Sequence, residues 1–324
     1  MLSLIQTPFT KNKILQKLFR KGFIGIEECL TLGCRNGTNT LLQNGTNTSI
    51  KLICTHTRYI ADKEKMRKFI HTLTVTGADN NTKVEDIFNL QIEFPFLEFG
   101  LLLDKKSQDK GSKRYPSTEW ICDLVEGFEH RRYPPRLSGH ICGSWIKDIC
   151  KGNWSILDER TMMAVPPQYF ERLQLNFNCY IEKITIDKFI KGLQNRSLLS
   201  RVRTIERLRT AQPIQFIFQF KENSEKSNAI LADAVKANLN VVPFFDSSGG
   251  RGNSPETCEN GQGNCGYAGG LGPDNVIEQL CLIEQVCGSG PIWIDSETLV
   301  RNDKDEFDPE IVAKLARLVK PFVL

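Results

Sequence analysis

Eight short apolar runs, separated by stretches with helical spacing, are the feature that most limits what this chain can become. They are Ile70–Thr76, Phe96–Leu103, Leu137–Cys142, Arg172–Asn176, Ile214–Phe220, Val241–Phe245, Gly266–Ala268 and Pro291–Ile294. Between them, Thr118–Phe128, Ser224–Ala237, Asp274–Val286 and Pro309–Val319 repeat apolar side chains at the period of a helix. Pro273 and Pro309 stand where a first-turn proline suits a helix start. Strands that alternate with helices imply parallel pairing through crossovers. An open doubly wound sheet normally carries a GxGxxG turn after its first strand, and no such turn follows the first strand here. Eight strands after residue 65 of a 324-residue chain fit the roughly 250 residues of a closed barrel. The expected fold is α/β, a (β/α)8 TIM barrel over 66–324 with an N-terminal extension over 1–65.

The extension differs in composition. Residues 1–26 hold no acid, and Lys11, Lys13, Lys17, Arg20 and Lys21 lie among Ile14, Leu15, Leu18 and Phe19. A basic amphipathic helix of this kind is what an organelle-targeting peptide looks like. Residues 36–49, NGTNTLLQNGTNTS, repeat a polar motif with little to bury and read as a linker. The location expected is cytoplasmic, with organelle targeting through residues 1–26 as the alternative.

The net charge of +4 is small for this length, which argues against a nucleic-acid partner. No apolar stretch approaches the roughly 20 residues needed to cross a bilayer, so no membrane partner is expected either. Eleven cysteines are scattered without a CxxC pair, and the four histidines are far apart in sequence. Cys258 and Cys265 bracket a glycine-rich loop, but the spacing is poor for zinc. Neither a metal nor a cofactor is expected.

In a closed barrel the interior is packed by apolar side chains, and chemistry gathers at the C-terminal ends of the strands. Two strand ends stand out. VVPFFDSSGGRG carries Asp246 at its tip and then Gly249 and Gly250. GYAGGLGPDNV carries Gly269 and Gly270 just before a helix start. Glycines let the backbone come close to a ligand, and a helix N-terminus favours an anion. Loops after strands seven and eight form the usual barrel phosphate site, so the expected partner is a phosphorylated small molecule. A carboxyl at the tip of an apolar strand is partly desolvated, which raises its pKa and suits Asp246 to general-acid work.

In order along the chain, VTGADNNTKVEDI, FGLLLDKKSQDKGSKRYPSTEW, RLQLNF, FFDSSGGRG, AGGLGPDNV and IDSETLVRNDKDEFDPEIV resemble segments of the phosphoribosylanthranilate isomerase family. AGGLGPDNV is the most specific of these, and together they span nearly all of residues 66–324. The resemblance implies a tryptophan-biosynthesis-like isomerase that rearranges a phosphoribosyl amine by acid–base catalysis. It makes Asp246 the acid and sets Arg114 against a substrate carboxylate. Gly269 and Gly270 would hold the phosphate, helped by Asp295 and Ser296.

The departure lies in strand one, where Thr76 stands at the position of the family's catalytic cysteine. A threonine hydroxyl titrates far too high to act as a base at neutral pH. Asn176 likewise replaces the strand-four histidine. Cys142, on the same side of its strand as His140, is the first candidate to supply the missing base. Asp79 and Lys221 are others, although Asp79 also reads as a helix cap and Lys221 as an exposed loop residue. The function expected is an isomerase-like barrel acting on or binding a sugar phosphate. The alternatives are a noncatalytic sugar-phosphate-binding barrel, or a changed lyase or isomerase using Asp246.

Overall fold

A computed structural model describes residues 67–324, apart from 109, 111, 130, 132–133, 152, 154–169, 195–213, 221–224, 247–257, 259–260 and 262. The expectations for residues 1–65, Lys221, Gly249 and Gly250 therefore lie outside the described residues.

The strands are β1 (Ile70–Thr76), β2 (Leu97–Leu103), β3 (Leu137–Ile141), β4 (Arg172–Leu175), β5 (Gln215–Phe220), β6 (Val241–Asp246), β7 (Gly266–Ala268) and β8 (Ile292–Ser296). Each pairs in parallel with the next, and β8 closes on β1, so the sheet is an eight-stranded barrel with no free edge. The helices are α1 (Val84–Glu93), α2 (Lys105–Gln108), α3 (Thr118–Glu129), α4 (Gly143–Cys150), α5 (Ile186–Gln194), α6 (Glu225–Lys236), α7 (Val276–Val286) and α8 (Pro309–Val319). All eight expected strands form, and the fold is the (β/α)8 barrel. None of the described helices is long and apolar enough to cross a membrane.

Strand residues alternate between the barrel interior and the helix layer. On the outer side, Phe218 of β5 packs against Phe177 and against Phe189 of α5. Phe88 of α1 meets Phe128 of α3 edge-on. The start of α8 follows its sequence signal, with Pro309 in the first turn. The Asp308 side chain accepts from the N–H groups of Glu310 (2.9 Å) and Ile311 (3.2 Å). The Pro273 expectation needs correcting. Pro273 lies in a turn and α7 begins only at Val276, because Asn275 first uses its side chain to fold the turn back on itself.

The interior also differs from expectation. Its β5–β8 side is apolar, with Ile217, Val242, Phe244 and Trp293 in one buried cluster and the Phe244 and Trp293 rings stacked. Its β1–β4 side is polar. Thr72, Thr74, Thr76, Glu98, Ser138, His140, Arg172 and Gln174 are all buried. The reason is a charge pair that crosses the barrel. Arg172 Nε donates to both oxygens of Glu98 (3.1 and 2.8 Å), and its Nη2 donates to Glu98 and to Thr74 Oγ1 (3.0 Å). The guanidinium also lies over the Trp293 ring, 4.5 Å from its centroid. Burial alone would raise the Glu98 carboxyl, but Arg172 overcomes this and holds it at about 2. Because that value is depressed, the pair contributes its stability above about pH 4.5 and loses it as pH falls towards 2.

Glu98→Gln should leave the Arg172 charge buried without its counter-ion. Removing one partner of a buried pair typically costs about 3–5 kcal/mol. Urea unfolding at pH 7 should show a loss of that order, and the difference from wild type should shrink towards pH 2. A variant as stable as wild type would show that the pair is not what holds the polar side together.

Candidate active site

The C-terminal mouth of the barrel holds a cavity bordered by side chains from β3 to β8, with the turn after β7 as one wall. β7 is only three residues long, and beyond Ala268 the chain turns sharply through Gly269 (φ 122°) and Gly270 (φ 54°). A side chain at either position would be strained. Asn275 fastens this turn, donating to Gly270 O (2.7 Å) and accepting from Gly272 N–H (2.9 Å). Ser296 Oγ donates to Leu271 O (2.5 Å) and ties the turn to β8. Ser296 is thus spent on the wall and does not border the cavity.

Asp246 and Asp295 flank the turn. The register places Asp246 opposite Ala268, and Ala268 opposite Asp295. Two strand spacings put the two backbones roughly 9–10 Å apart. Asp246 accepts from Gln219 Nε2 (3.0 Å). Asp295 is buried deeper and accepts from the Thr76 hydroxyl (2.8 Å). Burial pushes the Asp295 carboxyl up to about 8. The Thr76 bond opposes that shift only in part, and Glu297, Asp246 and Glu98 add to it. Asp295 therefore keeps its proton at neutral pH.

His140 stands beside this carboxyl, with Nδ1 4.0 Å from Asp295 Oδ2, which is too far for a hydrogen bond. Burial pulls the imidazole down to about 4. Both groups are neutral at pH 7, so the contact is not an ion pair. His140 Nε2 has no hydrogen-bond partner among the described residues, although the side chain is only 2% exposed. Gly100 makes the crowding possible, because a Cβ there would run into Thr76 Oγ1 and the His140 ring.

Gln174 Nε2 donates to Asn176 Oδ1 (2.9 Å), and Asn176 Nδ2 donates to Cys142 Sγ (3.1 Å). Cys142 lies just beyond β3 at the start of α4. Burial raises its thiol to about 12, against the weaker pull of the Asn176 bond, so it stays protonated at neutral pH. Thr76 is a hydrogen-bond donor to Asp295, as a hydroxyl should be.

Arg114 sits at the rim. Its Nη1 bonds Glu297 (2.9 Å) and Thr298 (3.3 Å), and its Nη2 bonds Asp305 (2.9 Å). Its backbone is left-handed (φ 72°), with the N–H held by Asp79 Oδ2 at 2.8 Å. Asp79 also receives Arg301 Nη2 (3.0 Å), and Arg301 bonds Gly77 O and Asp305. Asp79 therefore joins the loops after β1, β2 and β8 and does not face the cavity.

The structure thus brings Asp246, Gly269, Gly270 and Asp295 around one cavity, with Thr76 behind Asp295. Arg114, Cys142 and Ser296 touch its wall through partners. Gln174, Gln219 and Glu297 border the cavity too and were not singled out in the sequence, where QFIFQF and RLQLNF offered only a polar residue at alternating positions. Among the described residues, no cluster of His, Cys, Asp and Glu is arranged to hold a metal.

No family model matches the chain, and no curated protein matches it by sequence. Among solved structures it is similar to phosphoribosyl anthranilate isomerase from Thermus thermophilus (TM-score 0.45, 13% identity, 77% of this chain and 98% of that one). It is similar also to TrpF from Jonesia denitrificans (TM-score 0.47, 14% identity, 78% and 97%). A third is the N-acetylneuraminic acid synthetase of Leptospira borgpetersenii (TM-score 0.44, 11% identity, 79% and 84%).

The raised Asp295 value carries a stability consequence. A folded-state pKa of about 8 against an ordinary 3.8 favours the fold at low pH, and this is lost as pH rises from about 4 through 8. Asp295→Asn keeps an acceptor for Thr76 and removes the titration. It should be more stable than wild type by about 0.5–2 kcal/mol at pH 9, with the gap closing towards pH 4. Thermal melts across that range check this, and a gap independent of pH would refute it.

Proposed function

We propose that this chain is an acid–base enzyme of the phosphoribosylanthranilate isomerase kind, acting on a phosphorylated sugar derivative without a cofactor. The single observation that carries the reading is the carboxyl pair at the mouth, one member buried and holding a proton at neutral pH. Two carboxyls in unlike environments are what general acid–base catalysis requires. In this reading Asp295 donates its proton to the sugar ring oxygen as the C1–O bond opens. Asp246 takes the proton from C2, and the electron pair left at C2 forms the new double bond. The roles differ from those implied by the sequence resemblance, where Asp246 is the acid. The reason is Thr76, which cannot titrate but orients Asp295.

The phosphate belongs at the Gly269–Gly270 turn, beside the start of α7. Left-handed glycines there, fixed by Asn275 and Ser296, give a backbone close approach that a side chain would block.

Ribose 5-phosphate tests both parts. It should bind by calorimetry, and Gly270→Val should abolish binding while circular dichroism stays unchanged. In D2O the wild type should place deuterium at C2, read by proton NMR. Asp246→Asn should slow that exchange by about 10²–10⁴-fold, the usual contribution of a positioned general base. Binding without exchange would make the chain a noncatalytic sugar-phosphate-binding barrel. No binding would remove the sugar-phosphate reading altogether.

A further inference from the structure

His140 is an enclosed group that the proposed reaction leaves unused. Its side chain is buried, yet it borders the cavity. Nε2 has no hydrogen-bond partner among the described residues. On one side the ring lies against Gly100, where an added Cβ would come within 2.8 Å of Cε1 and 3.0 Å of Nε2. Nδ1 lies 4.0 Å from Asp295 Oδ2. The other carboxyl oxygen, Oδ1, already accepts from Thr76 (2.8 Å). Oδ2 is therefore the oxygen left to carry the Asp295 proton, and it is the one beside the imidazole. An N–H bond to a carboxylate spans about 2.7–2.9 Å, so the gap is roughly 1 Å too long. Because Nε2 is held by no described partner, a swing of the ring across that gap breaks no hydrogen bond there.

From this geometry we infer that His140 is the positioning residue for Asp295: once the carboxyl has given up its proton, the imidazole donates Nδ1–H to Oδ2 and holds the carboxylate in place. Its part in turnover rests on the acid–base reading above, whereas the pairing with an ionised Asp295 does not. In that step the O–H bond of Asp295 breaks and one forms on the ring oxygen of the ligand, while the imidazole keeps its own proton. A buried carboxylate is costly unless donors answer it, and an N–H is worth more to the anion than to the neutral acid. Burial keeps the imidazole neutral, so it enters as a donor and not as a cation. Glu297, Asp246 and Glu98 all act against ionisation of Asp295, and Glu98 and Arg172 act on His140 in opposite senses. None of these groups changes in the variants that test the pairing.

Asp295 can be followed without ligand by 13C NMR of protein labelled at the aspartate carboxyls, with Asp295→Asn identifying its signal. His140→Phe should raise its titration midpoint by about one pH unit or more, which makes it a tenfold weaker acid. His140→Asn keeps an N–H close to the place of Nδ1 and should return the midpoint most of the way to the wild-type value. The wild type supplies an independent reading should His140→Phe fail to fold. With four histidines in the chain, 15N NMR resolves the ring nitrogens. Nδ1 of His140 should shift in step with the Asp295 titration, and that step should vanish in Asp295→Asn. An Asp295 midpoint unmoved in a folded His140→Phe, or a His140 nitrogen that ignores the Asp295 step, would overturn the inference. With ribose 5-phosphate in D2O, His140→Phe should slow exchange at C2 about tenfold or more while its affinity by calorimetry stays unchanged, and His140→Asn should recover the rate. Unchanged exchange would refute the role in turnover. If ribose 5-phosphate does not bind, the sugar-phosphate reading falls, and the ligand-free titrations still decide whether the pair forms.

Discussion

A charged arginine and a charged glutamate meet inside the barrel, and the chemistry of the mouth depends on them. Glu98 and Arg172 are nearly inaccessible to water, so the guanidinium is what keeps the Glu98 carboxyl ionised, and the carboxylate is what compensates the buried arginine charge. Their pairing consumes the positive charge on the polar side of the interior. One layer higher, Asp295 is also buried, though it borders the cavity, and its hydrogen bond comes from a neutral hydroxyl, that of Thr76. Glu98 even adds to the field that discourages Asp295 from ionising. The same surroundings thus hold one carboxyl at about 2 and another at about 8. What separates them is which one has the guanidinium.

The rim follows a related division. Arg114 and Arg301 are both committed to acids of the loops, where they bind Asp79, Glu297 and Asp305. These bonds join the segments after β1, β2 and β8 across more than 180 residues of sequence. Cations that could have faced a ligand instead fix the shape of the opening. Among the described residues the polar wall that remains is made of carboxyl, carboxamide, hydroxyl and imidazole groups.

Much of the fold could be read from the chain because barrel strands are covered on both sides and show as nearly continuous apolar runs. Even β7, with three residues, was marked by the glycines that follow it. Helices α1, α4 and α5 were harder. VEDIFNLQIE and GSWIKDIC are short and interleaved with polar residues, and their apolar stripes are clear only once the strand they cover is known. The interior charges could not be read at all. In LEFGLLL and RLQL, Glu98 and Arg172 alternate with apolar neighbours as solvent-facing residues would. Only barrel closure turns that face inward and makes the two opposite charges meet. Asp246 was visible at the tip of its strand, whereas the importance of Asp295 depends on Thr76, Gly100 and His140, which three other segments supply.

Thr76 then becomes a consequence of its surroundings. A thiol in this enclosed position would be hard to ionise, since burial already raises Cys142 to about 12 at the same mouth. A hydroxyl asks for no ionisation. It needs only an acceptor, and Asp295 Oδ1 lies 2.8 Å away. Gly100 leaves space for the β-branched side chain, and the buried His140 ring limits where the hydroxyl can point. With Thr76 as donor to one carboxyl oxygen, a proton on Asp295 is left for the other oxygen. The hydroxyl on strand one thereby orients the carboxyl on strand eight across the β1–β8 seam of the barrel.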